Sequence, residues 1–127
     1  MFYERHADEA IRELSKMFGA VLVTGARQVG KTMLLQKAAK KAKYVTLDDK
    51  IQLVSAIGQS GTFFKDNPPP VFVDEVQYAP NLFPQIKIIL DQEKKKGQFF
   101  LSGSQQFAMM KNVSESLAGF FVKAIPQ

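Results

Sequence analysis

The sequence predicts an α/β fold, a three-layer α/β/α sandwich built on a mainly parallel five-stranded sheet. Short apolar runs alternate with stretches of helical periodicity along the chain, which is the mark of successive βαβ units. The runs are apolar at consecutive positions, as in strands buried on both faces of a parallel sheet. At 127 residues the chain is one domain's worth, with a single core.

The elements follow in order. Ala10, Ile11, Leu14 and Met17 fall at helical spacing and predict a first helix over 7–17. Ala20-Val21-Leu22-Val23-Thr24 reads as a central strand. A glycine-rich loop follows, then a helix over 31–42 and a second strand, Tyr44-Val45-Thr46-Leu47, ending at Asp48-Asp49. A short helix over 50–57 and a second short piece at 62–64 lead to Pro68-Pro69-Pro70, which delivers the chain into Val71-Phe72-Val73. Asn81 is the expected N-cap of a helix whose apolar face is Leu82, Phe83, Ile86, Ile89 and Leu90, with Gly97 as its stop. Phe99-Phe100-Leu101 is the fourth strand, 105–118 a last helix, and 120–125 the fifth strand.

Composition narrows the function. With no cysteine, a disulfide framework and a thiolate metal site are both excluded. No segment reaches the roughly 18 continuous apolar residues of a membrane helix, and the acidic N-terminus lacks a signal pattern, so a soluble cytoplasmic protein without a membrane partner is expected. The net charge of +5 suits a polyanionic partner, and a nucleotide already qualifies. Lys37, Lys40, Lys41, Lys43 and Lys94 to Lys96 supply much of it at expected helix ends, where cations complement the helix dipole. A solvated lysine-rich surface is therefore preferred to nucleic-acid binding.

Three motifs carry chemistry. The first is Gly25-x-x-x-x-Gly30-Lys31-Thr32, between a strand and a helix. Phosphates must be wrapped by backbone N–H groups that side chains would obstruct, and the helix start adds a positive dipole end. Lys31 supplies charge to the β and γ oxygens, and Thr32 a hydroxyl to Mg²⁺. The nucleotide-binding set runs Gly25, Ala26, Arg27, Gln28, Val29, Gly30, Lys31, Thr32 and Met33.

The second motif is the strand end Asp74-Glu75, with Asp74 for the metal shell and Glu75 to orient or deprotonate water. The third is Ser102-Gly103-Ser104-Gln105 at the tip of the next strand. Ser102, Ser104 and Gln105 are alternatives for a γ-phosphate sensor, and an N-capping turn at Ser104 fits equally well. His6, Tyr3 and Arg5 read as surface residues, and Asp48-Asp49 as a turn.

Together, Gly25-Ala26-Arg27-Gln28-Val29-Gly30-Lys31-Thr32, Tyr44-Val45-Thr46-Leu47-Asp48-Asp49, Val73-Asp74-Glu75-Val76-Gln77, Leu101-Ser102-Gly103-Ser104-Gln105-Gln106-Phe107 and Glu115-Ser116-Leu117-Ala118-Gly119 resemble one family. They are similar to the N-terminal P-loop ATPase module of a prokaryotic AAA-type family of ATP-binding proteins, over almost the whole chain. The resemblance implies strand order 5-1-4-3-2, ATP and Mg²⁺ as cofactors, and Ser104 as sensor beside catalytic Lys31 and Glu75. It further implies a helical lid and a C-terminal domain as partners, so 1–127 reads as a truncated single core domain that other protein subunits or the missing domain complete.

Family members carry an arginine where Phe120 follows Gly119, and the only arginines here are Arg5, Arg12 and Arg27. An arginine finger is worth about 10³–10⁵ in rate where one is used. ATP binding that outperforms hydrolysis, with only weak Mg²⁺-dependent turnover, is therefore expected. The alternatives are a non-catalytic nucleotide-binding module, a nucleic-acid-associated module and a small-molecule P-loop kinase. Against the kinase stands the Asp74-Glu75 pair, which favours water as acceptor.

Overall fold

The computed structural model describes residues 4–25, 29–104 and 121–124. Ala26, Arg27, Gln28, Gln105 and the helix expected over 105–118 lie outside the described residues, as do Tyr3 and Phe120; of Lys31 and Ser104 the backbone is described. The elements are α1 (Glu4–Met17), β1 (Ala20–Gly25), α2 (Val29–Ala38), β2 (Lys43–Thr46), α3 (Lys50–Gly58), α4 (Ser60–Asp66), β3 (Val71–Asp74), α5 (Leu82–Glu93), β4 (Phe99–Ser104) and β5 (Phe121–Ala124). A 3-10 turn, Val76–Tyr78, follows β3. Among the described residues no helix is long and apolar enough to cross a membrane.

The α/β architecture is as expected, and β1, β4, β3 and β2 lie side by side in the anticipated order 1-4-3-2, every pairing parallel. β5 runs parallel to β1 on its other side, with Ala20 opposite Phe121. The continuous apolar runs are explained by the two faces they fill. Leu22, Val73, Phe99 and Leu101 point to one face and pack with Phe63 and Phe64 of α4 and Leu82, Phe83, Ile86 and Leu90 of α5. Val21, Val23, Phe72 and Phe100, one position out of step, point to the other face and pack with Ile11 of α1 and Leu35 and Ala38 of α2. Phe64 meets Phe63 and Phe99 edge to face, each at 5.1 Å between ring centroids.

Several boundaries differ from the sequence expectation, each for a local reason. α2 begins at Val29 rather than Lys31. Glycine costs a helix interior about 1 kcal/mol against alanine, but first-turn N–H groups lack intrahelical partners anyway, so Gly30 is absorbed there. α2 also stops at Ala38, short of residue 42, because the chain turns through Ala42 N–H to Ala39 O (3.0 Å) and Lys43 N–H joins Pro70 O (3.1 Å) to open the β2–β3 ladder. Asn81 occupies the N-cap position of α5 without capping it: its side-chain amide donates instead to Ala56 O at 2.8 Å, tying α5 to α3. Asp49 is a true N-cap, accepting from Ile51 N–H at 2.9 Å.

α5 ends in the left-handed Lys94 (φ 55°), and Gly97 acts three residues later, just before the chain enters β4. Gly97 has φ +65° and donates its N–H to Phe18 O at 3.0 Å, and a Cβ there would sit 3.1 Å from Ser15 O. Gly97→Ala is therefore expected to destabilise the fold by about 1–2 kcal/mol, the cost of a left-handed non-glycine residue. Urea denaturation checks this, and an unchanged midpoint would contradict it.

Candidate functional site

The C-terminal ends of the strands form one edge, and the sheet register lines up the three motifs along it. Gly25, which opens the glycine-rich loop, pairs with Ser104 at the tip of β4. Thr46 pairs with Asp74, the last residue of β3. Ligands of open parallel sheets bind beyond such an edge, where neighbouring strands send their chains to opposite faces. Here β1 leads into α2 on one face, and β3, separated from β1 by β4, leads to α5 on the other.

Asp74 is the centre of the arrangement. It is only 4% exposed, and three hydroxyls from three other elements point their hydrogens at its carboxylate. Thr32 of α2 donates to Oδ2 at 3.1 Å and Tyr44 of β2 donates to the same oxygen at 2.8 Å, while Ser102 of β4 donates to Oδ1. A buried carboxylate is costly unless hydrogen-bonded, and these donors meet that need without cancelling its charge. The Thr32 contact bridges 42 residues of sequence and joins the start of α2 to the acidic strand end.

Glu75 comes next and takes a left-handed backbone (φ 60°, ψ 45°), rare for a residue with a side chain. Its N–H donates to Ser102 Oγ at 3.2 Å, and its Oε1 accepts from Gln77 Nε2 at 2.8 Å. The bend turns Glu75 off the line of β3, and strained residues of this kind gather at functional sites. Glu75 is 5% exposed.

The strand-tip candidates stand at different positions. Ser102 has 0% exposure and spends its hydroxyl on Asp74 and on the Glu75 N–H, so it braces the acidic pair from below. Ser104 stands beside Gly25 at the edge itself, and Gln105 lies outside the described residues. Of the nucleotide-binding set, Val29, Gly30, Lys31, Thr32 and Met33 make the start of α2, with Thr32 half-buried and Met33 exposed.

Sequence reasoning missed Tyr44 and Gln77 as parts of this site. Tyr44 was legible only as a strand residue, since nothing local ties it to an aspartate 30 positions away. Gln77 follows Glu75 by two residues, and that spacing was the available signal.

Residues 18–124 match a family described as an AAA domain. The chain belongs to that family. AAA domains are nucleotide-binding domains and typically ATPases, and this one has the P-loop fold of the group. It is 32% identical over 124 residues to the uncharacterized proteins Mb2031c of Mycobacterium bovis and Rv2008c of Mycobacterium tuberculosis. Each alignment covers 91% of this AAA domain and 26% of the relative, so the chain spans about a quarter of the length of the curated relatives it matches.

Among solved structures, the domain resembles a DNA replication initiation factor with a TM-score of 0.58 and 25% identity, over 94% of this chain and 44% of that one. It also shares the fold of AMPPCP-bound DnaA from Aquifex aeolicus, with a TM-score of 0.55 and 22% identity, over 92% of this chain and 43% of that one.

Two outcomes follow from the hydroxyl cluster. Ser102→Ala removes a donor to the buried Asp74 carboxylate and the hydroxyl that accepts from the Glu75 N–H, so it is expected to cost about 1–3 kcal/mol of stability in chemical denaturation. Burial first, then the hydrogen bond to Asp74 and its charge, push the Tyr44 phenol up to about 12. A phenol raised in this way favours folding while protonated. Its contribution is whole below the ordinary value of about 10 and is lost as pH rises through about 12. Phenolate absorbance should keep rising to that upper limit, and Tyr44→Phe should remove the last step; titration curves that superimpose once normalised to their amplitudes would sink the assignment.

Proposed function

We propose that this AAA domain binds ATP with Mg²⁺ at the C-terminal edge of its sheet and hydrolyses it slowly. The observation that carries the reading is the Thr32 hydroxyl donating to the Asp74 carboxylate at 3.1 Å, with the first turn of α2 behind it. Two hard oxygen groups side by side suit Mg²⁺, which is commonly held by one or two carboxylates plus substrate phosphates rather than by an all-protein cage. Bound there, the ion would neutralise charge on the β and γ phosphates.

The chain's own residues divide the work. Backbone N–H groups from Gly25 to Met33 wrap the phosphates and Lys31 adds a point charge, with Thr32 and Asp74 on the metal side. Glu75 orients the attacking water, and its bent backbone and Gln77 contact hold it off the strand axis. Ser104, level with Gly25, is the preferred sensor, because Ser102 is enclosed. On this reading the sheet is the full five-stranded module in the order 5-1-4-3-2, and 1–127 is its core. A lid and a further domain, or neighbouring subunits, would complete it in the cytoplasm. The much longer relatives support that division.

A second reading has its own support. The net charge of +5 and the likeness to a DNA replication initiation factor favour a nucleotide-controlled module that associates with nucleic acid. It predicts DNA affinity that falls steeply with salt, and no affinity at low salt removes it.

Calorimetric titration with ATP, GTP and ADP, with Mg²⁺ or with chelator, tests the first reading directly. Binding of ATP strengthened by Mg²⁺ is expected, and no binding by either triphosphate defeats the reading. Glu75→Gln should lower phosphate release by about 10²–10⁴-fold, the usual yield of a positioned base, while ATP still binds. Unchanged turnover would point to a module that binds without catalysis.

A further inference from the structure

Beyond holding the carboxylate in place, the Tyr44 hydroxyl limits what that carboxylate can offer. A carboxylate has about four acceptor directions, two on each oxygen. Thr32 and Tyr44 both donate to Oδ2, at 3.1 and 2.8 Å, and so take both directions of that oxygen. Ser102 takes one direction of Oδ1. An Asp74 bonded in this way cannot present both oxygens to one cation.

That restriction separates the two common hard cations. Mg²⁺ is small and octahedral, keeps several waters, and is content with single-point contacts from a carboxylate or through a water. Ca²⁺ is larger, takes six to eight oxygens, and gains from carboxylates that chelate with both. We propose that Tyr44 is a specificity-determining positioning residue: by filling the second acceptor direction of Asp74 Oδ2, its hydroxyl bars two-point chelation and biases the site toward Mg²⁺ over Ca²⁺. The inference rests on the metal-assisted nucleotide binding proposed above.

The ring is placed to do this reliably. Tyr44 stands on β2 opposite Phe72 of β3, and the two rings meet edge to face at 5.2 Å. That contact holds the phenol along the sheet toward the strand end, two residues further on. Tyr44 is 41% exposed, so removing its hydroxyl opens no internal cavity. Thr32 and Ser102 still bond the carboxylate when the phenol is gone, so Asp74 keeps its place and regains one acceptor direction.

The test compares the wild-type chain with Tyr44→Phe, titrated with the non-hydrolysable analogue AMPPCP in MgCl₂, in CaCl₂ and in EDTA. The wild type should bind more tightly in Mg²⁺ than in Ca²⁺. In Tyr44→Phe the ratio of the two affinities should fall by about tenfold or more, the lower end of the scale of one hydrogen bond to a charged group. The melting temperature should fall, because a hydrogen bond to a buried carboxylate is lost, so both proteins are titrated well below their midpoints and the ratio is the readout. A merely structural role would weaken both metal arms together and leave the ratio unchanged, and that result overturns the proposal. A wild type whose affinity is the same in Mg²⁺, Ca²⁺ and EDTA defeats instead the metal-assisted reading on which it rests.

Discussion

Burying a carboxylate at the end of a central strand imposes a demand that three other segments of this chain are arranged to meet. Asp74 is almost fully enclosed, and an unpaired charge in such a place would cost several kcal/mol, on the order of the whole stability of a small domain. Thr32, Tyr44 and Ser102 reach it from α2, β2 and β4. Each of those elements must therefore hold its level relative to β3. The parallel ladders fix the strands, with Tyr44 opposite Phe72 and Leu101, just before Ser102, opposite Val73. Packing of Leu35 and Ala38 against Val21, Val23 and Phe72 fixes α2.

How much of this was legible in the sequence depends on the range of the interaction. Apolar continuity along Ala20 to Val23 and Val71 to Val73 gave the strands, because burial on both faces leaves no polar alternation to read. The glycine spacing and the Asp74-Glu75 pair pointed to one shared edge of the sheet, since both lie within a few residues of a strand end, and the register places them along it. Tyr44 was legible as a strand residue, but its contact with Asp74 was not. Its link to Asp74 exists only once β2 and β3 are in register, and a shift of one residue would turn the ring to the opposite face. The Asn81 side chain misled for a related reason. Its local chemistry favours a cap, but its amide donates to a carbonyl 25 residues earlier in the chain, its backbone is already helical (φ -64°, ψ -10°), and no side-chain capping bond forms.

Helix limits show the same competition. The periodicity around Lys37 to Ala42 would continue α2, yet the chain is drawn out of the helix where Lys43 can pair with the segment following Pro70. Propensity sets a weak preference, and the tertiary ladder overrides it. At Lys94 and Gly97 the chain needs two left-handed residues in four positions to turn from α5 into β4. The sequence advertised only the glycine.

The choice of neutral hydroxyls around Asp74 bears on function as well as on stability. A lysine or arginine would meet the demand of the buried carboxylate equally well, but it would also cancel the charge. Hydroxyl donors stabilise the carboxylate and leave its negative charge available to a cation. A few ångströms along the same edge, the start of α2 presents N–H groups and the positive end of a helix dipole, which attract anions. A site for a magnesium-bound nucleotide needs both signs of charge close together without their neutralising one another. Placing the negative charge on a strand end and the positive field on a helix start, with a threonine hydroxyl between them, meets that requirement. In the proposed site the same separation makes Thr32 the pivotal contact: it is the point where the helix start and the acidic strand end touch.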